Sequence, residues 1–192
     1  MRLVLATRNA HKAREFAVLL APHEIVALPV EVDLPPETGA TFAANALPKA
    51  RTAAAATGAA AIADDSGIAA AALDGAPGVR SARYAGATAS DAENLARLLR
   101  EAPAGSALAY VCALAYAAPG GVEHVVEGRC TGTLAAAPRG AGGFGYDPAF
   151  LPDDLPDGRT MAELAPDEKA AISHRGRAAR ALLGWLAERG DA

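Results

Sequence analysis

Two adjacent carboxylates, Asp64 and Asp65, end an apolar run and lead into Ser66 and Gly67. Hard oxygen donors in that setting suit Mg2+, which takes one or two carboxylates and fills its other positions with substrate phosphates and water. Consecutive strand residues point to opposite faces, so one of the two should face a substrate while the other orients it or acts through water. Glu37, just ahead of Thr38 and Gly39, is a third carboxylate able to reach the same metal. An Asp-rich turn that caps backbone groups, with a solvated loop acid beside it, would use the same residue types. On residues alone both readings stand.

A second group, Thr7-Arg8-Asn9-Ala10-His11-Lys12, turns out of an apolar run and enters a helix. The first N–H groups of a helix lack intrahelical partners and attract anions. Lys12 falls in the first turn, and Thr7 and Asn9 add donors. The segment can cradle a phosphate without the G-x-x-x-x-G-K-[ST] pattern of a Walker loop; the alternative is a capped helix with a surface lysine. A third group, Gly140 to Asp147, matches G-x-G-x-x-G by letter. A dinucleotide site needs a strand before it and a helix after it, whereas here Pro148 biases Asp147 to extended backbone. It reads as a glycine loop presenting Phe144 and Tyr146 for stacking on a base, with Gly145 between them and Asp147 accepting from base N–H groups. A glycine turn with two core aromatics is the alternative. The fourth group places Lys169, His174 and Arg175 near the start of the last helix, as donors to a carbonyl or phosphate or as a solvated basic turn. The 18 basic residues are 15 Arg and three Lys, and Lys12, Lys49 and Lys169 all fall in or beside these segments. A compact ammonium suits a tight polyphosphate site better than a wide guanidinium fork.

The elements that position these groups follow from pattern. Arg2 to Ala6 reads as a buried strand, with Asn9 capping a helix through Ala10 to Leu20. His23 to Leu28 is a second strand, and Pro29 to Gly39 a loop. Thr41 caps a helix to about Thr57, closed by Gly58, with Pro48 inside it expected to kink it or move a boundary. Ala59 to Ala63 is a short strand ending at Asp64, with Ile68 to Leu73 a further extended piece. Ser90 and Glu93 form a capping box for a helix to about Glu101. Leu108, Tyr110, Cys112, Leu114 and Tyr116 alternate at period two, and Val122 to Leu134 returns as the antiparallel partner. Thr160 and Glu163 form a second capping box, and a helix runs from about Ser173 to Glu188. Early alternation with a late hairpin gives an α/β class with a mixed sheet.

Composition narrows the class. The 192 residues are 52% hydrophobic and 21% charged, enough for a sizeable core. About a quarter are alanine, so the core is expected from scattered Leu, Val, Ile and aromatics. A net charge of -4 argues against a broad nucleic-acid-binding face. No segment reads as a signal peptide or a spanning helix. Cys112 and Cys130 have neither metal nor disulfide spacing and read as reduced core thiols. Together these predict a soluble, cytoplasmic protein with no membrane partner.

Taken in order, the segments resemble the noncanonical purine nucleoside triphosphate pyrophosphatases, the ITPase-like or inosine triphosphate pyrophosphatase family. Its T-x-N-x-x-K opening is similar to Thr7, Asn9 and Lys12, and its E-T-G-x-T-F-x-x-N-A-x-x-K-A to Glu37 through Ala50. I-A-D-D-S-G-L is nearly matched by Ile62 to Ile68, and G-A-P-G-x-x-S-A-R-Y stands as Gly75 to Tyr84. G-F-G-Y-D-P stands as Gly143 to Pro148, and S-H-R-G as Ser173 to Gly176. The resemblance implies one domain over residues 1–192, made of two lobes, with a long mixed central β-sheet flanked by helices and a nucleotide cleft between the lobes. It implies a homodimer and Mg2+, and hydrolysis of ITP, dITP and XTP to monophosphate and pyrophosphate. By the family pattern Asp65 is the general base and a metal ligand, with Glu37 as second ligand and Asp64 beside them. Thr7 through Lys12, Asn45, Lys49, Ser66 and Lys169 would lie along the nucleotide; Phe144 to Asp147, His174 and Arg175 would surround the base. Arg8 stands where many members carry a small residue, an added phosphate contact. Two rivals share these features: a Maf-type nucleotide pyrophosphatase with other substrates, and a non-catalytic nucleotide-binding module, against which the carboxylates argue.

Overall fold

The computed structural model describes residues 1–190. Strand β1 (Arg2–Leu5) leads to helix α1 (Ala10–Leu19) and strand β2 (Glu24–Ala27), then to helix α2 (Phe42–Thr57) and strand β3 (Ala61–Ala70). Helix α3 (Asp91–Glu101), strands β4 (Ala107–Ala117), β5 (Glu123–Leu134) and β6 (Phe150–Pro152), and helices α4 (Pro166–Ile172) and α5 (His174–Glu188) complete the order. The strands form one mixed sheet in the order β2-β1-β3-β4-β5-β6. β1 is parallel to β2 and to β3, with Val4 opposite both Val26 and Ala61. β5 and β6 are antiparallel, with Thr133 opposite Leu151. The α/β class with a mixed sheet is therefore as expected.

The local chemistry explains most boundaries. Asn9 starts α1 by accepting from the N–H groups of His11 and Lys12. Thr41 caps α2 through the Ala44 N–H, and Gly58, at φ 64°, closes it in the left-handed region that favours glycine. The predicted Ser90–Glu93 capping box opens α3. Pro48 moves neither boundary: α2 is helical on both sides of it. The carbonyl that loses its donor there belongs to Ala44, an exposed residue.

Two expectations are corrected and one helix is added. Asp64 to Gly67 is no turn: β3 runs through all four residues as one ten-residue strand. Lys169 precedes the last helix, as expected, and lies on α4, a short separate helix that ends at Ser173. Alanine, discounted as a core former, builds one of the three core clusters. Ala46, Ala50, Ala53 and Ala54 of α2 meet Ala61 and Ala63 of β3 and Ala113, Ala115 and Ala117 of β4. Small side chains let a helix sit close to a sheet.

The chain divides into two compact units. The first holds Met1–Asp65, Cys112–Gly128 and the stretch from Arg175 onward; the second holds Ser66–Val111 and Arg129–His174. The first has the alanine cluster and a bulkier one around Phe16, Leu20, Leu114, Leu182 and Leu186. The second has its own core around Ile68, Leu98, Leu134, Phe150 and Met161. Cys112 and Cys130 are both buried, as read from their spacing. Among the described residues no helix is long and apolar enough to cross a membrane.

Candidate active site

In the first unit, β3 carries Asp64 and Asp65 to opposite partners, as strand alternation requires. Asp64 is 1% exposed, and its Oδ2 lies 2.8 Å from the Lys12 ammonium and 3.8 Å from Nε of Arg175. Arg175 also donates to Glu15 at 3.2 Å. Asp65 Oδ2 instead accepts from the Asn45 side-chain amide of α2 at 2.8 Å. Asn45 Oδ1 accepts from the Gly39 N–H at 2.7 Å, and Lys49 donates to Glu37 at 2.5 Å and to the Asp64 carbonyl at 2.7 Å. α2 thus fastens both the loop that bears Glu37 and the strand that bears the carboxylates. Gly39 has to be glycine here, since a Cβ would lie 2.7 Å from Asn45 Oδ1.

These surroundings pull two neighbouring carboxyls apart in acidity. Burial alone would raise Asp64, but the cations of Lys12 and Arg175 outweigh it and hold its pKa below the ordinary range. Burial raises Asp65, and Glu37 adds to this, against the Asn45 hydrogen bond and the charge of Lys49. A split of this kind assigns roles: Asp64 is a fixed charge and Asp65 the more basic group. Asp65 and Glu37, whose charge adds to the rise at Asp65, also form a hard oxygen donor pair. Among the described residues no three His, Cys, Asp or Glu side chains form a metal-type cluster. Mg2+ needs only one or two carboxylates when phosphates complete its shell, so the pair fits it. Asp64, read beside them as a ligand, has its Oδ2 on Lys12.

The opening segment is more occupied than its pattern suggests. Asn9 Oδ1 takes the His11 and Lys12 N–H groups, and Thr7 Oγ1 accepts from the Asn9 N–H at 3.1 Å. His11 Nδ1 lies 3.0 Å from Arg14, and Ala10 begins the helix. The Arg8 guanidinium lies on the carbonyls of Leu28, Pro29, Val30 and Val32, at 3.0, 2.9, 3.3 and 2.7 Å. It binds the turn after β2.

The second unit holds the other group. Ser66 is half-buried in β3. Asp147 is 3% exposed; its Oδ2 accepts from Lys169 at 2.8 Å and from the Phe144 N–H at 3.0 Å, and its Oδ1 from the Tyr110 hydroxyl at 3.1 Å. A Cβ on Gly143, at φ 71°, would collide with that carboxylate. Phe144 is half-buried, with the Lys169 ammonium 5.1 Å from its ring centroid. The Gly145 N–H donates to Asp91 at 2.9 Å. Tyr146 is buried in the core and its hydroxyl donates to the Ser81 carbonyl at 2.8 Å, so of the two aromatics only Phe144 retains exposed surface. His174 is buried and stacks on Tyr110. Glu15, Asp91 and Tyr110 escaped sequence reading. Tyr110 left one trace: a buried tyrosine hydroxyl needs a partner, which an aliphatic strand face does not supply.

The sequence pattern of the Ham1 family matches residues 3–185. The chain belongs to the Ham1 family. It is 50% identical to a dITP/XTP pyrophosphatase of Streptomyces coelicolor, over 97% of this chain and 98% of that protein. It is 52% identical to a dITP/XTP pyrophosphatase of Geobacillus kaustophilus, over 92% and 89%. The solved structure of a HAM1 protein from Coxiella burnetii superposes with a TM-score of 0.85 at 40% identity, covering 98% of this chain and 99% of that one. The Ham1 match spans both units, so the two groups of side chains belong to one family pattern.

Proposed function

We propose that this Ham1 protein hydrolyses noncanonical purine nucleoside triphosphates, namely ITP, dITP and XTP, to the monophosphate and pyrophosphate, removing them from the nucleotide pool. The observation that carries the reading is the split at Asp64 and Asp65: one carboxylate anchors cations and the next is left the better base. The likeness to two dITP/XTP pyrophosphatases over nearly the whole chain supports the substrate class.

In this reading Lys12 and Lys49 bring positive charge to the triphosphate. Asp65 takes a proton from the attacking water. The water oxygen bonds to the α-phosphorus, the bond from that phosphorus to the bridging oxygen breaks, and pyrophosphate leaves with the bond's electron pair. Asn45 keeps the Asp65 carboxylate aimed. Asp65 and Glu37 would hold Mg2+, which when bound neutralises phosphate charge. Phe144 stacks on the base, and Lys169 and His174 present donors to its oxo edge. Adenine carries an amino donor at that edge and leaves buried donors unpaired, which rejects it. A homodimer, which the resemblance implies, and a cytoplasmic place, which composition and segment reading predict, belong to the same reading.

Asp65→Asn tests it. The amide keeps the shape and loses the base, so turnover of ITP should fall by a factor of about 10²–10⁴, while the protein melts as the parent does and still binds ITP. Near-parental turnover would remove Asp65 from the mechanism.

A further inference from the structure

We propose that Tyr110 is a positioning residue for base selection, its ring and its hydroxyl together holding His174 and Asp147 where the base is read. The inference rests on the reading above that these side chains surround the base. Tyr110 lies in β4, 6% exposed, within the core of the second unit. Its ring is stacked on the His174 imidazole, with centroids 4.5 Å apart and planes 5° from parallel. Phe150 packs against the same ring at 4.7 Å, tilted by 40°. The Tyr110 hydroxyl donates to Asp147 Oδ1, while Lys169 and the Phe144 N–H hold Oδ2. One side chain therefore touches His174 directly and reaches Lys169 and Phe144 through a single carboxylate.

Packing alone does not call for tyrosine at this position, since Leu or Phe would keep the period of the strand. The hydroxyl is what links the stack to the carboxylate. Hydrogen-bond donors discriminate between an oxo and an amino group only while their direction is fixed, because such bonds weaken steeply off axis. In a loosened site the donors turn away from a mismatched amino group, and the penalty for admitting it fades. Rejection of ATP should therefore depend on Tyr110 more than turnover of ITP does.

The test compares Tyr110→Phe, which keeps the ring and removes the hydroxyl, with Tyr110→Leu, which removes both. For each, kcat and KM of pyrophosphate release are measured with ITP and with ATP in Mg2+, alongside a thermal melt. Tyr110→Phe conserves volume and should fold. The ITP-to-ATP ratio of kcat/KM is expected to fall about tenfold in Tyr110→Phe, the scale of one hydrogen bond to a charged group, and further in Tyr110→Leu. The loss should appear in KM for ITP and in a gain with ATP, with kcat for ITP little changed. An unchanged ratio in a folded Tyr110→Phe overturns the proposal, as does an equal loss on both substrates carried by kcat. A parent protein without preference for ITP would defeat the base reading itself, whereas a preference that persists in both variants defeats only the role of Tyr110.

Discussion

At Asp64 a fully buried carboxylate depends on two cations, Lys12 at 2.8 Å and Arg175 at 3.8 Å. Removing one partner of a buried pair leaves charge uncompensated. Lys12→Ala should therefore destabilise the protein by about 3 kcal/mol, the low end for a broken buried pair because Arg175 stays. Urea denaturation checks this, and an unchanged midpoint would contradict the buried pairing. Lysine in place of the usual arginine marked Lys12, Lys49 and Lys169 in the sequence, and all three ammonium groups meet carboxylates, on Asp64, Glu37 and Asp147. Their carboxylate partners were not legible, because each pair joins residues more than ten positions apart and pairing of that kind leaves no local pattern. Arg8 shows the same limit. Standing where many family members carry a small residue, it was expected to add a phosphate contact, but four backbone carbonyls from a distant turn occupy it. Nothing in the residue types of that turn announces that its carbonyls need a donor.

At the scale of elements, β3 is the piece on which both units depend for a carboxylate or its neighbour. It continues through Gly67 because Gly67 lies against the turn of Gly78–Arg83, where Ser81 Oγ accepts from the Ile68 N–H at 2.9 Å and donates to the Gly78 carbonyl at 2.6 Å. An added Cβ would lie 2.5 Å from the Gly78 carbonyl oxygen and 2.9 Å from Ser81 Cβ. Gly67→Ala should destabilise by about 1–3 kcal/mol, the usual cost of overpacking. A thermal melt checks it, and a melting point equal to the parent's would mean that β3 and this turn do not meet so closely. Helices were the most legible elements, since Asn9, Thr41, Gly58 and Ser90 carry local capping chemistry. β3 was cut short in the sequence because Asp, Asp, Ser and Gly favour turns. The tertiary partners of those residues, Lys12, Asn45 and Ser81, are what make an extended run of them stable. α4 left no such signal: none of its seven residues is buried, so it carries no apolar period, and the extended backbone of Ser173 separates it from α5.

For the whole molecule, the alanine-rich composition proved structural. The faces of α2, β3 and β4 that meet in the first unit are built mainly from alanine, which a count of bulky residues cannot detect. The family pattern was legible because its motifs recur in order along the chain, and each motif keeps its own local chemistry. The net charge of -4 argued only against an extended polyanion. The most direct measurement of the central claim is product analysis of ITP incubated with the purified protein and Mg2+. The account predicts IMP and pyrophosphate in equal amounts, with ATP turned over far more slowly under the same conditions. IDP and inorganic phosphate as the products, or no hydrolysis of ITP at all, would contradict it.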